Sequence, residues 1–225
     1  MQNQRATLAG VTVAGCVGLL VACGSNQPVD LSRADIAKVA GIGSSFGPPY
    51  KVSTVGPAAI DPRLLGPQTL PPGLTFDPAD CAAAASRQTL PIGVKGNMAA
   101  TTAEGEGMRY IVIAVETSEP VPAQTPTEQC RAVTFTGPTV RGSVERVEAP
   151  HVEGVPIVGT HRVLQTTADG RTRTGELYNY VATFGNFIVI VTANPLVLPD
   201  APVVPVNTSR ARELVTQAVA LVRGE

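Results

Sequence analysis

The sequence predicts an α+β fold, in which an antiparallel β-sheet contains a three-strand meander and packs helices on one face. A near-continuous apolar run at residues 111–115 is typical of a central buried strand. The dipeptides Asp169-Gly170 and Gly185-Asn186 join three strand-like segments with residues that suit tight hairpin turns. After Asn207, apolar residues recur at the spacing of an amphipathic helix.

The first predicted element is a short helix. Ser32 and Asp35 form a start signal for it, and Gly41-Ile42-Gly43 is expected to end it. Residues 44–76 are rich in Gly and Pro, which predicts an irregular wrap with one extended piece at residues 50–55.

A second helix is predicted from Asp77 onward. Asp77 suits the N-cap, and Pro78 suits the first turn, where its missing N–H is harmless. The alanines at residues 82–85 continue this helix and allow it to lie close to a sheet.

The rest of the chain is mainly β. A short helical turn is expected at residues 126–130, and the final helix is expected from Asn207 or Thr208 to Gly224. The predicted strands are residues 94–102, 109–116, 132–136, 142–147, 158–167, 172–183 and 187–192.

Composition excludes some classes of function. Hydrophobic residues make up 44% of the 225 residues, and the net charge is −1, which disfavours intrinsic disorder. The chain has 17 basic and 18 acidic residues, so it has no excess positive charge to neutralise phosphates. We therefore expect no nucleic-acid partner. Trp is absent and aromatic residues are 4% of the chain, so the core must be mainly aliphatic.

The N-terminal segment has the pattern of an export signal. Arg5 is the only charged residue before Asp30, and residues 6–22 are uncharged and largely apolar. This segment is shorter than the roughly 20 residues that a helix needs to span a bilayer, and it fits a secretory signal peptide.

The segment ends in Leu20-Val21-Ala22-Cys23, which resembles the lipobox of bacterial lipoproteins. In that family the cysteine takes a diacylglyceryl group through a thioether, the signal is cut before it, and the new amine can be acylated. The resemblance implies lipid attachment at Cys23. Val13-Ala14-Gly15-Cys16 also satisfies the pattern, but it leaves a much shorter apolar segment before the cut.

The expected organisation is a signal peptide over residues 1–22, a tether over residues 23–29, and a single α+β domain over residues 30–225. The longest later apolar stretches have the length of strands. Membrane retention is therefore expected to depend on acyl chains, which place the domain on the extracytoplasmic face of the cell membrane.

The remaining two cysteines, Cys81 and Cys130, are expected to form a disulfide in an exported protein. The competing interpretation is a metal site, but His151 and His161 stand at no metal-ligand spacing relative to them. We expect no metal and no cofactor.

A family resemblance follows from the order of motifs. The lipobox, Ser-Phe-Gly-Pro-Pro-Tyr at residues 45–50, Asp-Pro-x-x-Cys at residues 77–81, the second cysteine, the meander and the final helix occur in that order. This chain resembles mycobacterial cell-envelope lipoproteins of an uncharacterised family and, more weakly, the extracellular sensor domain of a mycobacterial receptor serine/threonine kinase. The resemblance implies an envelope location and a binding role, with no established activity and no catalytic residues.

One motif suggests an enzyme. Gly-x-Ser-x-Gly at residues 43–47 matches a nucleophile elbow, which needs a strand before it and a helix after it. Here a short helix precedes the motif, and Pro48 and Pro49 follow it. We therefore expect no catalysis. The alternative is an envelope serine hydrolase that uses Ser45, or Ser44, with His161.

The Pro-rich loop at residues 194–205 carries the apolar tip Leu196, Val197 and Leu198. These side chains either pack on the sheet, or line the mouth of an apolar cleft or touch the bilayer. The leading hypothesis is a non-catalytic lipoprotein that binds a lipid-like small molecule or an envelope protein. The third hypothesis is a structural or signalling accessory that presents a protein-binding face.

Overall fold

The structure is a computed structural model that describes residues 30–61, 70–86, 90, 93–123, 127–197 and 202–225. In this part of the chain one sheet contains nine strands, and every pairing is antiparallel. The strands are β1 (Lys51–Ala59), β2 (Thr75–Asp77), β3 (Gly96–Gly105), β4 (Met108–Thr117), β5 (Ala132–Thr136), β6 (Val140–Val147), β7 (Ile157–Ala168), β8 (Arg171–Phe184) and β9 (Phe187–Pro195). Their order across the sheet is β1-β3-β4-β9-β8-β7-β6-β5-β2.

The predicted α+β class and meander are confirmed. Strands β7, β8 and β9 are consecutive neighbours, joined at Asp169-Gly170 and at Gly185-Asn186. Asp169 and Gly170 have φ values of 52° and 72°, and Gly185 has a φ of 55°. These left-handed conformations are the ones that tight hairpin turns require.

The main core lies between one face of the sheet and two helices. The C-terminal helix α2 (Thr208–Arg223) is capped by Asn207, whose side-chain oxygen accepts the N–H of Arg210 at 2.9 Å. Its apolar side packs on alternate residues of β4, β8 and β9. The largest fully buried side chains of this core include Tyr110, Tyr180 and Leu214.

The second helix of this face is a ten-residue 3₁₀ helix, Ile36–Ser45, which begins after Asp35. It buries Ile36, Val39 and Ile42, and this spacing of three matches the three residues per turn of a 3₁₀ helix. The expected end at Gly41-Ile42-Gly43 is wrong, because the helix continues through these residues to Ser45. A Cβ at Gly41 would stand 3.5 Å from Leu221 of α2, which is an ordinary van der Waals distance, so Gly41 lies at the contact between the two helices.

The opposite face of the sheet carries two smaller apolar clusters. One contains Met98, Ile113 and Ile190, and the other contains Cys81, Ala85 and Val133. The short helix α1 (Ala82–Ser86) belongs to the second cluster. The sequence predicted that all helices lie on one face of the sheet. This is wrong, because α1 packs on the opposite face. Asp77 is also not a helix cap, because it ends β2 and pairs with Thr134.

The sheet has a proximal end and a distal end, which we define by where the described chain begins. At the proximal end, Leu31 packs against Gly185 in the β8–β9 turn. Helix α2 also ends there, where the N–H of Asp35 donates to the carbonyl oxygen of Val222 at 2.8 Å. At the distal end lie the β3–β4 turn with Gly107 and the β7–β8 turn with Gly170. Among the helices within the described residues, none is long and apolar enough to cross a bilayer.

Candidate functional site

A cleft of about 1040 Å³ opens at the proximal end of the sheet. It lies between the 3₁₀ turn Glu128–Cys130 and the loop that joins β6 to β7, residues 148–156. Its volume is just above the range of roughly 300–1,000 Å³ that is usual for small-molecule sites. The lining residues are Glu128, Arg131, Arg146, Val147, Glu148, Ala149, Pro150, His151, Val152, Gly154, Val155, Pro156, Ile157 and Gly159.

The wall of the cleft is a folded loop with defined hydrogen bonds. Val155 is buried, and its N–H donates to Val152 O at 3.1 Å. The carbonyl of Pro156 accepts the N–H of Thr183 at 3.2 Å, which ties the loop to the end of β8. Gly154 between them has a φ of 70°, a conformation that favours glycine. The cleft is therefore walled by backbone and aliphatic side chains in a fixed arrangement.

The opposite rim is charged. Arg146 Nη1 lies 3.2 Å from Glu128 Oε1, and Arg131 Nη1 lies 3.8 Å from Glu128 Oε2. The backbone N–H of Arg146 also donates to Arg131 O at 2.7 Å, which fixes these two residues beside each other. Two guanidinium groups thus share one carboxylate, and the three side chains of Arg131, Arg146 and Glu128 together carry one net positive charge.

The loop is also held against the C-terminal helix. Arg212 Nη1 donates to Glu148 Oε2 at 3.0 Å, and Arg223 Nη1 lies 3.5 Å from the carbonyl oxygen of Glu153. Pro150 borders a second hollow of about 410 Å³, which is lined otherwise by Ser209, Arg212, Glu213, Thr216 and Gln217 of α2. His151 is exposed on the cleft wall.

The serine candidates occupy structural positions. Ser45 Oγ donates to Gln217 Oε1 at 2.9 Å, and Ser44 Oγ donates to Gly41 O at 2.8 Å. Both serines lie in the 3₁₀ helix, so the strand and following helix of a nucleophile elbow are absent around them.

His161 lies on β7 and has different partners. Its Nε2 is 3.0 Å from Glu176 Oε1, and its ring stacks on Tyr178 with 4.3 Å between the ring centroids. The segment after Ser45 packs on β4, where Phe46 contacts Tyr110. Since β7 and β4 are three strand spacings apart, about 14 Å separates these positions. The structure does not bring the predicted nucleophile and base together.

The Ser-Phe-Gly-Pro-Pro-Tyr motif instead builds an aromatic cluster with the β3–β4 turn. Phe46 and Tyr50 have ring centroids 5.1 Å apart, and Arg210 lies over Phe46 at 5.1 Å while donating to the carbonyl of Ser45. Tyr50 donates its hydroxyl to Glu106 Oε2 at 2.9 Å. Burial, reinforced by this hydrogen bond, raises the pKa of Tyr50 to about 12.

The predicted apolar loop tip lies at the distal end. Leu196 is half-buried and donates its N–H to Gly107 O at 2.7 Å, whereas Val197 is 74% exposed. Leu198 lies outside the described residues. Neither Leu196 nor Val197 lines the proximal cleft.

Cys81 and Cys130 form a disulfide, which links the 3₁₀ turn Ala79–Cys81, immediately before α1, to the edge of the cleft. Cys81 is fully buried against Ala85 and Val133, and Cys130 ends the turn that begins with Glu128. The bond therefore fixes the turn that supplies the rim carboxylate. Cys16 and Cys23 lie outside the described residues, and across the described part of the chain no three His, Cys, Asp or Glu side chains group as metal ligands.

Sequence reasoning missed the cleft because its walls carry little that indicates chemistry. The two prolines at 150 and 156 and Gly154 signalled only a loop. The rim pairing between Glu128 and Arg146 joins residues 18 positions apart and depends on the strand register, which the sequence pattern did not specify.

The family model described as Domain of unknown function (DUF5642) matches residues 35–223. The chain belongs to this family. The predicted resemblance to an uncharacterised family is thereby confirmed.

Two solved structures are similar to this chain. The X-ray structure of an uncharacterized Mycobacterium smegmatis protein, described as the Rv0999 ortholog, is 60% identical, with a TM-score of 0.81 over 86% of this chain and 100% of that chain. The extracellular domain of PknH from Mycobacterium tuberculosis is 15% identical, with a TM-score of 0.44 over 88% of this chain and 99% of that one. Among curated proteins, none matches.

Proposed function

We propose that this protein is a non-catalytic, lipid-anchored binding module on the extracytoplasmic face of the cell membrane, and that its proximal cleft binds an amphiphilic small molecule. The observation that carries the proposal is the composition of the cleft. Aliphatic residues of the 148–156 loop face a rim on which Arg131 and Arg146 share the single carboxylate of Glu128.

Each part of the cleft suits one part of such a ligand. Val147, Val152 and Ile157 supply apolar contact for a hydrocarbon chain. A guanidinium has five N–H donors, so Arg131 and Arg146 retain donors beyond those directed at Glu128. A carboxylate or phosphate head group is the natural acceptor for them, because charge-assisted hydrogen bonds to arginine are strong and geometrically specific.

Two observations favour binding over catalysis. Ser45 and His161 are each engaged with other partners, Gln217 and Glu176. The charged residues that line the cleft are Arg131, Arg146, Glu128 and Glu148, and Glu148 is paired with Arg212 of α2. The lining residues include the exposed His151 but no serine or cysteine that could act as a nucleophile. Such a site can hold a head group but offers no activated nucleophile.

The proposed anchor is the cysteine of the Leu20-Val21-Ala22-Cys23 motif. A diacylglyceryl group with a further acyl chain, palmitate being typical, would hold the domain on the membrane durably. The Cys81–Cys130 bond supports an exported location, because disulfides persist in oxidising compartments.

Native mass spectrometry of the protein released from its own membranes in mild detergent tests the binding role. We expect a non-covalent adduct with the mass of a lipid in the wild type, and its loss in the double variant Arg131→Ala/Arg146→Ala. Arg109→Ala is the matched control, because Arg109 also pairs with a glutamate, Glu104, at 2.6 Å but lies at the distal end. The absence of an adduct, or an adduct that the double variant retains, would contradict the proposal.

A second candidate function, a protein-binding accessory, rests on strand β1. This strand ends the sheet, and all nine of its residues are exposed, including Val52 and Val55 at 41% and 52%. An edge of this kind can accept an extended segment of a partner protein. A photo-crosslinking amino acid at position 55 in living cells should then capture a specific protein, whereas the same residue at exposed Val203 should not.

A further inference from the structure

We infer that the cleft faces the membrane on which the protein is anchored, and that it takes an anionic lipid from the headgroup layer of that bilayer. This inference rests on the proposed function, and it adds the orientation of the domain and the source of the ligand.

The first argument is the reach of the tether. Cys23 and Asp30 are seven residues apart, so even a fully extended chain between them covers only about 25 Å. The described chain then runs into the proximal end at once, where Leu31 packs on Gly185 and Asp35 bonds to Val222 of α2. The acyl anchor therefore holds the proximal end close to the lipid surface.

The second argument is the position of the cleft. Pro156, on the cleft wall, is hydrogen-bonded to Thr183, which is only two residues before Gly185. The distal end lies one strand length away, and the nine residues of β9 alone extend about 30 Å. This length exceeds the reach of the tether. The cleft is therefore on the membrane side of the domain, and Val197 is on the side that faces away.

The third argument is the chemistry of the rim. Arg131 has 70% of its side chain exposed, and its Nη1 lies 3.8 Å from Glu128, beyond hydrogen-bond distance for that atom pair. Its guanidinium can therefore turn toward a phosphate in the headgroup layer without breaking a close bond. Behind it, Arg146 has 33% of its side chain exposed and stands next to Val147, where the aliphatic wall begins. This order from rim to wall matches the order from head group to chain in a lipid.

The chain contains no Trp, so one introduced Trp reports its own surroundings. His151→Trp places the probe on the exposed cleft wall, and Val197→Trp places it at the distal end. The lipidated protein would be reconstituted into phosphatidylcholine vesicles that carry phosphatidylglycerol and a nitroxide on some of the head groups. We expect strong quenching of His151→Trp and at least several-fold weaker quenching of Val197→Trp. Equal quenching, the reverse order, or failure of the protein to associate with the vesicles would overturn the inference.

A second arm identifies the source of the ligand. In vesicles without nitroxide, His151→Trp emission should shift to the blue when phosphatidylglycerol is present. The shift should be lost in pure phosphatidylcholine and in the Arg131→Ala/Arg146→Ala background. Glycerol phosphate in solution should not reproduce it. A shift produced by glycerol phosphate alone would mean that a soluble anion is the ligand, and it would refute a lipid source.

Native mass spectrometry and the quenching experiment together separate this inference from the proposed function. A lipid adduct in native mass spectrometry together with distal quenching would leave the binding role standing and refute the orientation. Proximal quenching without any adduct would refute the binding role itself.

Discussion

The hydroxyl of Ser45 lies 2.9 Å from the side-chain oxygen of Gln217, although the two residues are 172 positions apart in the sequence. This bond joins the 3₁₀ helix to the C-terminal helix on the same face of the sheet. Arg210, also on the C-terminal helix, donates to the carbonyl of Ser45. Ser45, the nucleophile candidate of the Gly-x-Ser-x-Gly motif, therefore hydrogen-bonds the 3₁₀ helix to the C-terminal helix.

A fluorophosphonate probe should not label the protein, because neither Ser44 nor Ser45 has a base that could activate it. Ser45→Ala should leave background hydrolysis of generic esters unchanged. Mass spectrometry of the probe-treated protein checks the first expectation, and an ester assay checks the second. Stoichiometric labelling at either serine would restore the hydrolase alternative.

The disulfide should contribute to stability chiefly by restricting the unfolded chain. For cysteines 49 positions apart, the chain-entropy model gives about 4 kcal/mol. Chemical denaturation of Cys81→Ala should therefore show a loss of this order, and Cys81→Ala/Cys130→Ala should lose little more. Reduction of the wild type should give a similar loss but should not affect the double variant. An unchanged unfolding midpoint after reduction would show that the bond contributes nothing.

Alkaline pH should destabilise the fold through its tyrosines. The pKa of Tyr50 is raised to about 12, and burial also raises the pKa values of Tyr110, Tyr178 and Tyr180. Above pH 10 the unfolded state loses phenolic protons that the folded state retains, so the free energy of unfolding should fall between pH 10 and about 12. Denaturation midpoints across this range test the direction, and a rising or flat profile would contradict it.

Glu106→Gln should lower the pKa of Tyr50 while leaving it above the ordinary value, because burial is the larger cause and the carboxylate the smaller. Ultraviolet titration of tyrosinate would follow the change, with Tyr50→Phe used to assign the transition. Glu104→Gln is the matched control, since that carboxylate pairs with Arg109. A titration unchanged by Glu106→Gln would show that the hydrogen bond does not act on Tyr50.

Much of the fold follows from local pattern, and the exceptions have physical causes. The β7–β8–β9 meander was predictable because Asp169-Gly170 and Gly185-Asn186 allow the positive φ values of its turns. The 3₁₀ helix was predicted too short, because Gly41-Ile42-Gly43 looked like a helix end, whereas the buried face formed by Ile36, Val39 and Ile42 continues through it. Strand β2 was missed because Asp77 has the properties of a helix cap, and only its pairing with β5 reveals a strand.

The site was less predictable than the fold. Arg131 immediately precedes β5, and its carbonyl accepts the backbone N–H of Arg146 on the paired strand β6. This pairing brings Glu128, three residues before Arg131, within 3.2 Å of the Arg146 side chain. Leu196 and Val197 looked like a cleft mouth because they are apolar and in a loop, but the direction in which β9 runs places them at the distal end. Such long-range placements depend on topology, which composition and periodicity do not encode.

Lipidation should require Cys23 and not Cys16. Cys23→Ala should block attachment of the diacylglyceryl group and leave an uncut precursor, whereas Cys16→Ala should be processed normally. The intact mass of the mature N-terminus decides between them. An acylated Cys16 followed by Val17 would move the cut site, and an unmodified N-terminus beyond residue 23 would refute the anchor.

Mapping a photoreactive lipid on the protein in intact cells tests most directly whether the proximal cleft is a lipid site. Cleavage after Arg146 and Arg162 releases residues 147–162 as one peptide, which contains most of the cleft wall. A diazirine-bearing phosphatidylglycerol should crosslink mainly to this peptide, and Arg131→Ala should weaken the crosslink severalfold. Crosslinking confined to the segment around Val197, or no crosslink above that of a phosphatidylcholine probe, would contradict a lipid-binding role for the cleft.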